Sequence, residues 1–422
     1  MSIAVDGKVV REGRIVEYIG ADNTFKEEKK MNDISDKSPE IDIEKMANGI
    51  LEAVRSFRKM NHLRLMIVGK TGVGKSTLIN ALFREKLADT GIGKPCTNEI
   101  REYSRDDLPI SIIDTVGFET DTNKQEKNER EIFQRIKEGK AESAKEIHTI
   151  LYCISAESRR VEQQEIEWVK KFSQNSDLYK TPLIVVLTNA TRKKDAGKLK
   201  DIILGEMPNL PACVPVLAEP TEFDFDDDVK TVESYGLEEL CDVIRQVLPE
   251  SVQQTFIANQ KASLDLKRKY ANWIINTTVV AVGTEAFIPV AFADAAALIP
   301  TQVTMLGAIT KTYGLEISKS IITWFISSLA GAGGATLAGK FIVANLLKLI
   351  PGAGLVVGGA ISAATAATLT LAIGKTYIEL MEAFYIGEIS EKNVDSPENK
   401  EKYERIFKEK LKEAAKEKNE AK

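Results

Sequence analysis

The stretch "GKTGVGKST", Gly69-Lys70-Thr71-Gly72-Val73-Gly74-Lys75-Ser76-Thr77, fills every position of the pattern G-x-x-x-x-G-K-[ST]. A short apolar run, "LRLMIV", leads into it, and "STLINALF" carries a helical period out of it. A pattern match in that strand-to-helix setting is a structural claim. The glycines let the backbone curl until consecutive amides face one anion, and the start of the helix adds positive potential. Lys75 is then placed to reach the β and γ oxygens of a polyphosphate, and the Ser76 hydroxyl to ligate Mg²⁺.

Outward from this loop, short β-branched runs alternate with helical stretches from residue 63 to about residue 249. The runs are "LRLMIVG", "ISIIDTVG", "TILYCIS", "PLIVVLTN" and "CVPVLA". Their unbroken apolarity marks strands buried on both faces of a parallel sheet. Stretches between them, such as "VEQQEIEWVKKFSQ", carry one apolar stripe and one charged face. The expected fold is a doubly wound α/β domain.

The second run continues as "IIDTVGFE", residues 112–119. Its spacing delivers a carboxylate, Asp114, toward Mg²⁺ and the Gly117 amide toward a terminal phosphate. Between the first helix and this strand lies "LADTGIGKPCTNEI", in which Thr97 is the preferred hydroxyl to join the Mg²⁺ shell when a γ-phosphate is present, with Thr90 as its rival.

The order GKTGVGKS, PCT, DTVG and then VVLTN resembles the translation-factor-related P-loop GTPases, especially the Era-like and immunity-related types. The later stretch "IPVAFADAAALIPTQVTMLGAITKTYG" and the glycine-rich helices after it resemble the uncharacterised helical domain attached to some bacterial members. The resemblance implies a GTPase that uses GTP and Mg²⁺, with Lys75, Thr97 and Gly117 in catalytic roles. Ser76, Thr97 and Asp114 are the implied metal ligands. It also implies a base site at the end of a strand, where an [NT]-K-x-D element is usual. This chain has Thr188, Asn189, Ala190, Thr191 there, so the aspartate that accepts from guanine is replaced by a hydroxyl. Asp195, four residues on, is a candidate substitute, and Ala218 is the candidate amide backing the base. Phe118 stands where many such switches carry the glutamine that orients water. Low basal turnover that rises on self-association or with a protein activator is the consequence expected.

Composition bounds the rest. A net charge of −5 gives no strong nucleic-acid signal, which leaves a ribosome-assembly role as the weakest reading. Cys96, Cys153, Cys213 and Cys241 are far apart and the histidines are His62 and His148, so a reduced, cytoplasmic setting without a zinc site is expected. The N-terminus shows no secretory pattern.

From 251 to 385 only 15 of 135 residues are charged, and Gly and Ala accumulate. An all-α domain follows from this. Stretches near 274–300, 321–347 and 352–374 leave three readings open: spanning a bilayer, touching one peripherally through residues 274–374, or packing as a soluble bundle whose small residues allow close crossings. A nucleotide-gated membrane-remodelling or pore-forming effector is the alternative function. Asp294, within "VAFADAAAL", needs a partner if buried, with Gln302 a candidate. The expected organisation is a polar N-terminal arm (1–40) with a hairpin near Asp6 and Gly7, an α/β domain with a leading helix (41–250), an apolar helical domain (251–386), and a linker with a charged C-terminal helix (387–422).

Overall fold

The computed structural model describes residues 3–5, 8–11, 14–18, 25–30, 43–56, 60–83, 101–105, 108–115, 122–179, 181–225, 228–285, 295–331 and 363–420. The chain divides into two compact units. One comprises residues 57–271 with 311–314, and the other residues 1–56, 272–310 and 315–422.

The first unit is built on a six-stranded sheet. Numbering strands from the N-terminus, with β1 to β4 in the second unit, its members are β5 (Leu63–Gly69), β6 (Arg101–Arg105), β7 (Leu108–Asp114), β8 (Thr149–Ser155), β9 (Leu183–Thr188) and β10 (Ala212–Pro215). Their order is β10-β9-β8-β5-β7-β6, and every neighbouring pair is parallel except β6 with β7. The apolar runs become strands because the sheet is covered on both faces. Leu63, Leu65 and Ile67 of β5 pack on one side with α2 (Lys75–Leu82), α6 (Leu237–Val247) and α7 (Glu250–Asn259). Met66 and Val68 pack on the other with α3 (Thr122–Ala141), α4 (Gln163–Tyr179) and α5 (Lys193–Glu206). Alternate residues of one strand thus serve two cores, each buried side chain contributing roughly 1.5–3 kcal/mol. On the second face Phe172 stacks on Trp168 at 4.7 Å and meets Phe133 at 4.8 Å, which joins α3 to α4. A two-stranded hairpin, β11 (Thr221–Phe225) with β12 (Asp228–Val232), stands outside this sheet.

The second half of this unit is closed by a buried lysine. Lys267, at 0% exposure, donates to the carbonyls of Ile257 (2.6 Å), Ala258 (3.0 Å) and Thr312 (3.0 Å). Its ammonium satisfies carbonyls at the last turn of α7 and near the end of α9 (Ala295–Tyr313).

In the second unit, β1 (Ile3–Val5), β2 (Lys8–Arg11), β3 (Arg14–Tyr18) and β4 (Phe25–Lys30) form an antiparallel meander within the stretch expected as a polar arm, with Val5 opposite Lys8 on either side of the expected hairpin. Asp6 and Gly7 lie outside the described residues. Helix α1 (Ile43–Ser56), expected to lead the α/β domain, instead packs with the helical elements. A Cβ on Gly307 of α9 would lie 2.6 Å from that of Ala53, and one on Gly49 of α1 would lie 3.1 Å from a Val303 methyl, so α1 and α9 cross at glycines. Gly374 gives the same close approach between α11 (Ala363–Tyr385) and Ile275 of α8 (Leu264–Glu285).

Hydrogen bonds join polar side chains within this bundle. Gln302 donates to the Thr370 hydroxyl at 3.3 Å, and Thr310 and Tyr377 share a 2.7 Å hydrogen bond. Asp294 lies outside the described residues. The last helix, α12 (Pro397–Glu420), keeps its Lys and Glu residues largely outward and buries Tyr403, Phe407, Leu411 and Ala414, with Tyr403 edge-on to Trp324 of α10 (Lys319–Gly331) at 5.8 Å. Among the described residues no helix is long and apolar enough to cross a membrane. Residues 332–362, part of the stretches considered for spanning, lie outside them.

Both histidines brace the start of β5. His62 Nε2 meets Ser111 Oγ at 2.7 Å. The Arg64 amide donates to His148 Nδ1 at 3.0 Å while the His148 amide donates to the Arg64 carbonyl at 2.9 Å, which requires an unprotonated Nδ1. Burial is the main cause that lowers the pKa of His148; Lys140 and Arg64 act with it and Glu146 against it. Burial likewise lowers that of His62, helped by Arg64 and opposed by Glu102. A depressed folded-state pKa means that the stabilisation is complete above the unfolded value of 6.5 and is lost as pH falls through the folded value. The melting temperature is therefore expected to drop between pH 7.5 and 5, and to drop less in His148→Asn; equal slopes for the two proteins would exclude this role.

Candidate nucleotide site

Because β5, β7, β8, β9 and β10 run parallel, their C-terminal ends converge on one edge of the sheet, where Gly69, Asp114, Ser155, Thr188 and Pro215 end their strands. After β5 the next strands in the chain, β6 and β7, lie to one side of it and β8 lies to the other, so the crevice between β5 and β8 is where an open α/β sheet takes ligands.

The loop from Gly69 to Gly74 fills that crevice. Gly69 adopts φ 149°, and a Cβ there would sit 2.3 Å from the Cys153 carbonyl oxygen of β8. Gly72 (φ 80°) and Gly74 (φ 91°) are left-handed, and Gly74 is the N-cap of α2, which no side chain caps. Any other residue at these three positions would be strained. Val73 anchors the loop in the core, while Thr71 and Gly72 are exposed.

Lys75, at 8% exposure, folds its ammonium back over the loop and donates to the carbonyls of Gly69 (3.0 Å) and Lys70 (3.2 Å). Burial lowers its pKa, and the Asp114 carboxylate works against that shift. Ser76 and Thr77 follow in the first turn of α2, both half-buried. Asp114 is fully buried and lies in register with Ile67 of β5. The next residue is locked in place: the Thr115 amide and hydroxyl both donate to the Ile67 carbonyl, at 3.2 and 3.1 Å. Ser76 and Asp114 offer a hydroxyl and a carboxylate, hard oxygen donors of the kind Mg²⁺ takes, on the two elements that flank Lys75, so the residues present fit that ion. Thr90, Thr97, Gly117, Phe118 and Glu119 lie outside the described residues.

At the end of β9, the Thr188 hydroxyl turns inward and donates to the carbonyls of Val73 and Ile154, tying this loop to the phosphate loop. Asn189 is left-handed (φ 50°), and its Oδ1 lies 3.1 Å from where a Gly74 Cβ would stand. Thr191 closes a tight turn through its amide to the Asn189 carbonyl, and is half-buried. Ala218 follows β10, partly buried against the core. Asp195, the candidate substitute acceptor, pairs instead with Arg159 at 3.1 Å.

Two contributors are not apparent in the sequence. Tyr235 donates its hydroxyl to the Ala190 carbonyl (2.6 Å), bridges Leu217 through its backbone and carries Lys193 over its ring at 4.4 Å, so it braces both loops expected around the base. Lys70 is held by Glu162 and Glu165 from the start of α4. No local pattern marks either.

Residues 64–189 match the family described as 50S ribosome-binding GTPase, and residues 254–412 match the domain of unknown function DUF697. GTPase Era of Ureaplasma urealyticum is 33% identical over 141 residues, which span 32% of this chain and 42% of that protein. Magnetosome membrane protein 22 of Magnetospirillum gryphiswaldense is 31% identical over 109 residues, 26% of this chain and 56% of that protein. Among solved structures, Era in complex with MgGDPNP and nucleotides 1506–1542 of 16S ribosomal RNA is 23% identical, with a TM-score of 0.33 over 45% of this chain and 58% of that one. The chain thus spans only about half the length of these two curated relatives. It carries a P-loop GTPase domain within its parallel-sheet unit, followed by a domain of the DUF697 family.

Proposed function

We propose that this chain is a Mg²⁺-dependent GTP-binding and GTP-hydrolysing switch with low basal turnover, whose nucleotide state governs the helical half as an effector. The observation that carries this reading is the phosphate loop: Gly69, Gly72 and Gly74 at positive φ, curled around the Lys75 ammonium at the uncapped start of α2. In this reading the loop amides of residues 69–77 bind the β-phosphate. Lys75 exchanges its carbonyl contacts for β and γ oxygens, and Ser76, Asp114 and Thr97 hold the metal ion. That ion, when bound, neutralises charge building on the phosphate oxygens. The Gly117 amide and Thr97 report the γ-phosphate. Asn189, Thr191 and Ala218 face the base, with Thr188 fixing their loop to the phosphate loop. The GTPase relatives support guanine as the base.

Calorimetry with GTP, GDP and ATP in the presence of Mg²⁺ tests the ligand. Guanine nucleotides should bind, ATP should bind at least tenfold more weakly, and Lys75→Ala should lose binding by about a hundredfold. No heat with any purine triphosphate would refute the reading.

Hydrolysis needs a group that aligns water, and the phenyl ring of Phe118 cannot do so. A second copy or another protein is the proposed source. Phosphate release per molecule should therefore rise with protein concentration. Turnover of about 10 s⁻¹ that is independent of concentration would exclude an incomplete site.

A second reading is peripheral membrane contact. On α8, Trp273 and Val280 are 53% and 65% exposed and share one face with Asn276 and Thr277, and one relative is named a magnetosome membrane protein. Liposome cosedimentation that depends on a non-hydrolysable GTP analogue would favour a nucleotide-gated membrane effector; the protein staying in the supernatant in every nucleotide state would dismiss it.

A further inference from the structure

Lys70, the second residue of the phosphate loop, does not face solvent as a free cation. Its Nζ lies 2.7 Å from Glu162 Oε2 and 3.4 Å from Glu165 Oε1. Glu162 immediately precedes α4 and Glu165 lies in its first turn. The Glu162 carbonyl accepts from the amides of Glu165 and Ile166, and Glu165 Oε2 accepts from the Glu162 amide at 3.2 Å, which is the half of a capping box that the third helical residue supplies. Glu165, with 9% of its side chain exposed, is therefore fixed by its own helix, and the pair stands as a block of negative charge beside the loop. Burial is the largest single influence on Lys70 and lowers its pKa, but hydrogen bonding and charge from Glu162 and Glu165 outweigh it and raise the pKa, so the lysine stays an ammonium.

The backbone of the same residue faces the other way. The Lys70 carbonyl accepts from Lys75 Nζ at 3.2 Å and from the Val73 amide at 3.4 Å. One residue thus links the start of α4, through its side chain, to the ammonium at the centre of the loop, through its carbonyl. Without the Lys70 charge, two carboxylates would stand uncompensated beside the phosphate loop; that of Glu165 is almost fully buried, so its repulsion of an anion is weakly screened, while that of the exposed Glu162 is screened more.

We infer that Lys70 is a positioning residue for nucleotide binding: held by its ion pairs with Glu162 and Glu165, it offsets the acidic pair beside the phosphate loop and so keeps the loop receptive to an anion. The inference rests on the reading of residues 69–77 as the nucleotide loop. It predicts an effect on affinity rather than on the chemical step, because the pair is already formed before nucleotide arrives.

The test is a titration of fluorescent GDP and a non-hydrolysable GTP analogue into the full chain, with wild type, Lys70→Ala, Lys70→Arg, the double variant Glu162→Gln/Glu165→Gln, and the triple variant that adds Lys70→Ala to it. Glutamine retains the acceptor that caps α4, and circular dichroism checks that each variant is folded. Lys70→Ala should weaken both nucleotides about tenfold, a coupling typical of residues in one charged network. Lys70→Arg should stay within about threefold of wild type, and the triple variant should recover most of the loss. With GTP as substrate, the KM of Lys70→Ala should rise while kcat stays within about twofold.

Wild-type affinity in Lys70→Ala, a triple variant as weak as Lys70→Ala, or a fall in kcat matching the fall in affinity would each overturn the inference. A double variant that binds more than tenfold tighter than wild type would overturn it too, since Lys70 would then be a phosphate ligand held back by the acids. Should wild type bind neither nucleotide, the nucleotide-site reading falls and takes the inference with it; binding that ignores Lys70 removes the inference alone.

Discussion

A cation buried at the mouth of a helix needs oxygen around it, and the arrangement of the first unit follows from meeting that need for Lys75. The ammonium takes the carbonyls of Gly69 and Lys70, which holds the loop curled around it. Each constraint on the loop serves this closure. Gly69 must be bare because the β8 backbone passes within 2.3 Å of its Cβ position, Val73 must be apolar because it roots the loop in the core, and the Thr188 hydroxyl ties the Val73 carbonyl to the next loop along the sheet edge. Asp114, fully buried at the end of β7, holds the Lys75 charge against the pull of burial. The site is a preorganised electrostatic shape, and a polyphosphate with its metal ion would replace contacts the protein already makes with its own carbonyls.

That shape can be rigid because the sheet beneath it is packed on both faces. Leu65 and Ile67 look toward α2, Met66 and Val68 toward α3 and α4, so β5 cannot shift without disturbing two cores at once. The aromatic stack of Phe133, Phe172 and Trp168 fastens α3 to α4, and α4 in turn holds Lys70. The helix that follows the Asp114 loop and the phosphate loop are thereby both attached to α4.

The phosphate loop and the five buried strands were legible in the sequence because each depends on local rules: glycine at positive φ, a helix start after a strand, unbroken β-branched runs under two layers. Edge strand β6 and the β11–β12 hairpin were not, since "REYSR", "TEFDF" and "DVKTV" are short, half-polar and supported by pairing rather than burial. The direction of Thr188 could have been read from strand alternation, which puts it on the side of Ile184 and Val186 and so toward Val73. The partners of Lys70 lie 92 and 95 residues away, and Tyr235 lies 45 residues from the carbonyl it holds; contacts of that span carry no local pattern. Helix α1 showed its apolar stripe plainly, but a stripe does not say which core it joins, and the glycine crossings with α9 decide that only in three dimensions.

The central claim is that the curled loop between β5 and α2 is a nucleotide cradle. Amide hydrogen exchange on the whole chain, with and without GDP and Mg²⁺, tests it most directly. The account predicts slowed exchange across residues 70–77 and in the loop at 188–191, with α12 unchanged. Exchange across 70–77 that stays the same at saturating GDP, or protection confined to other regions, would contradict it.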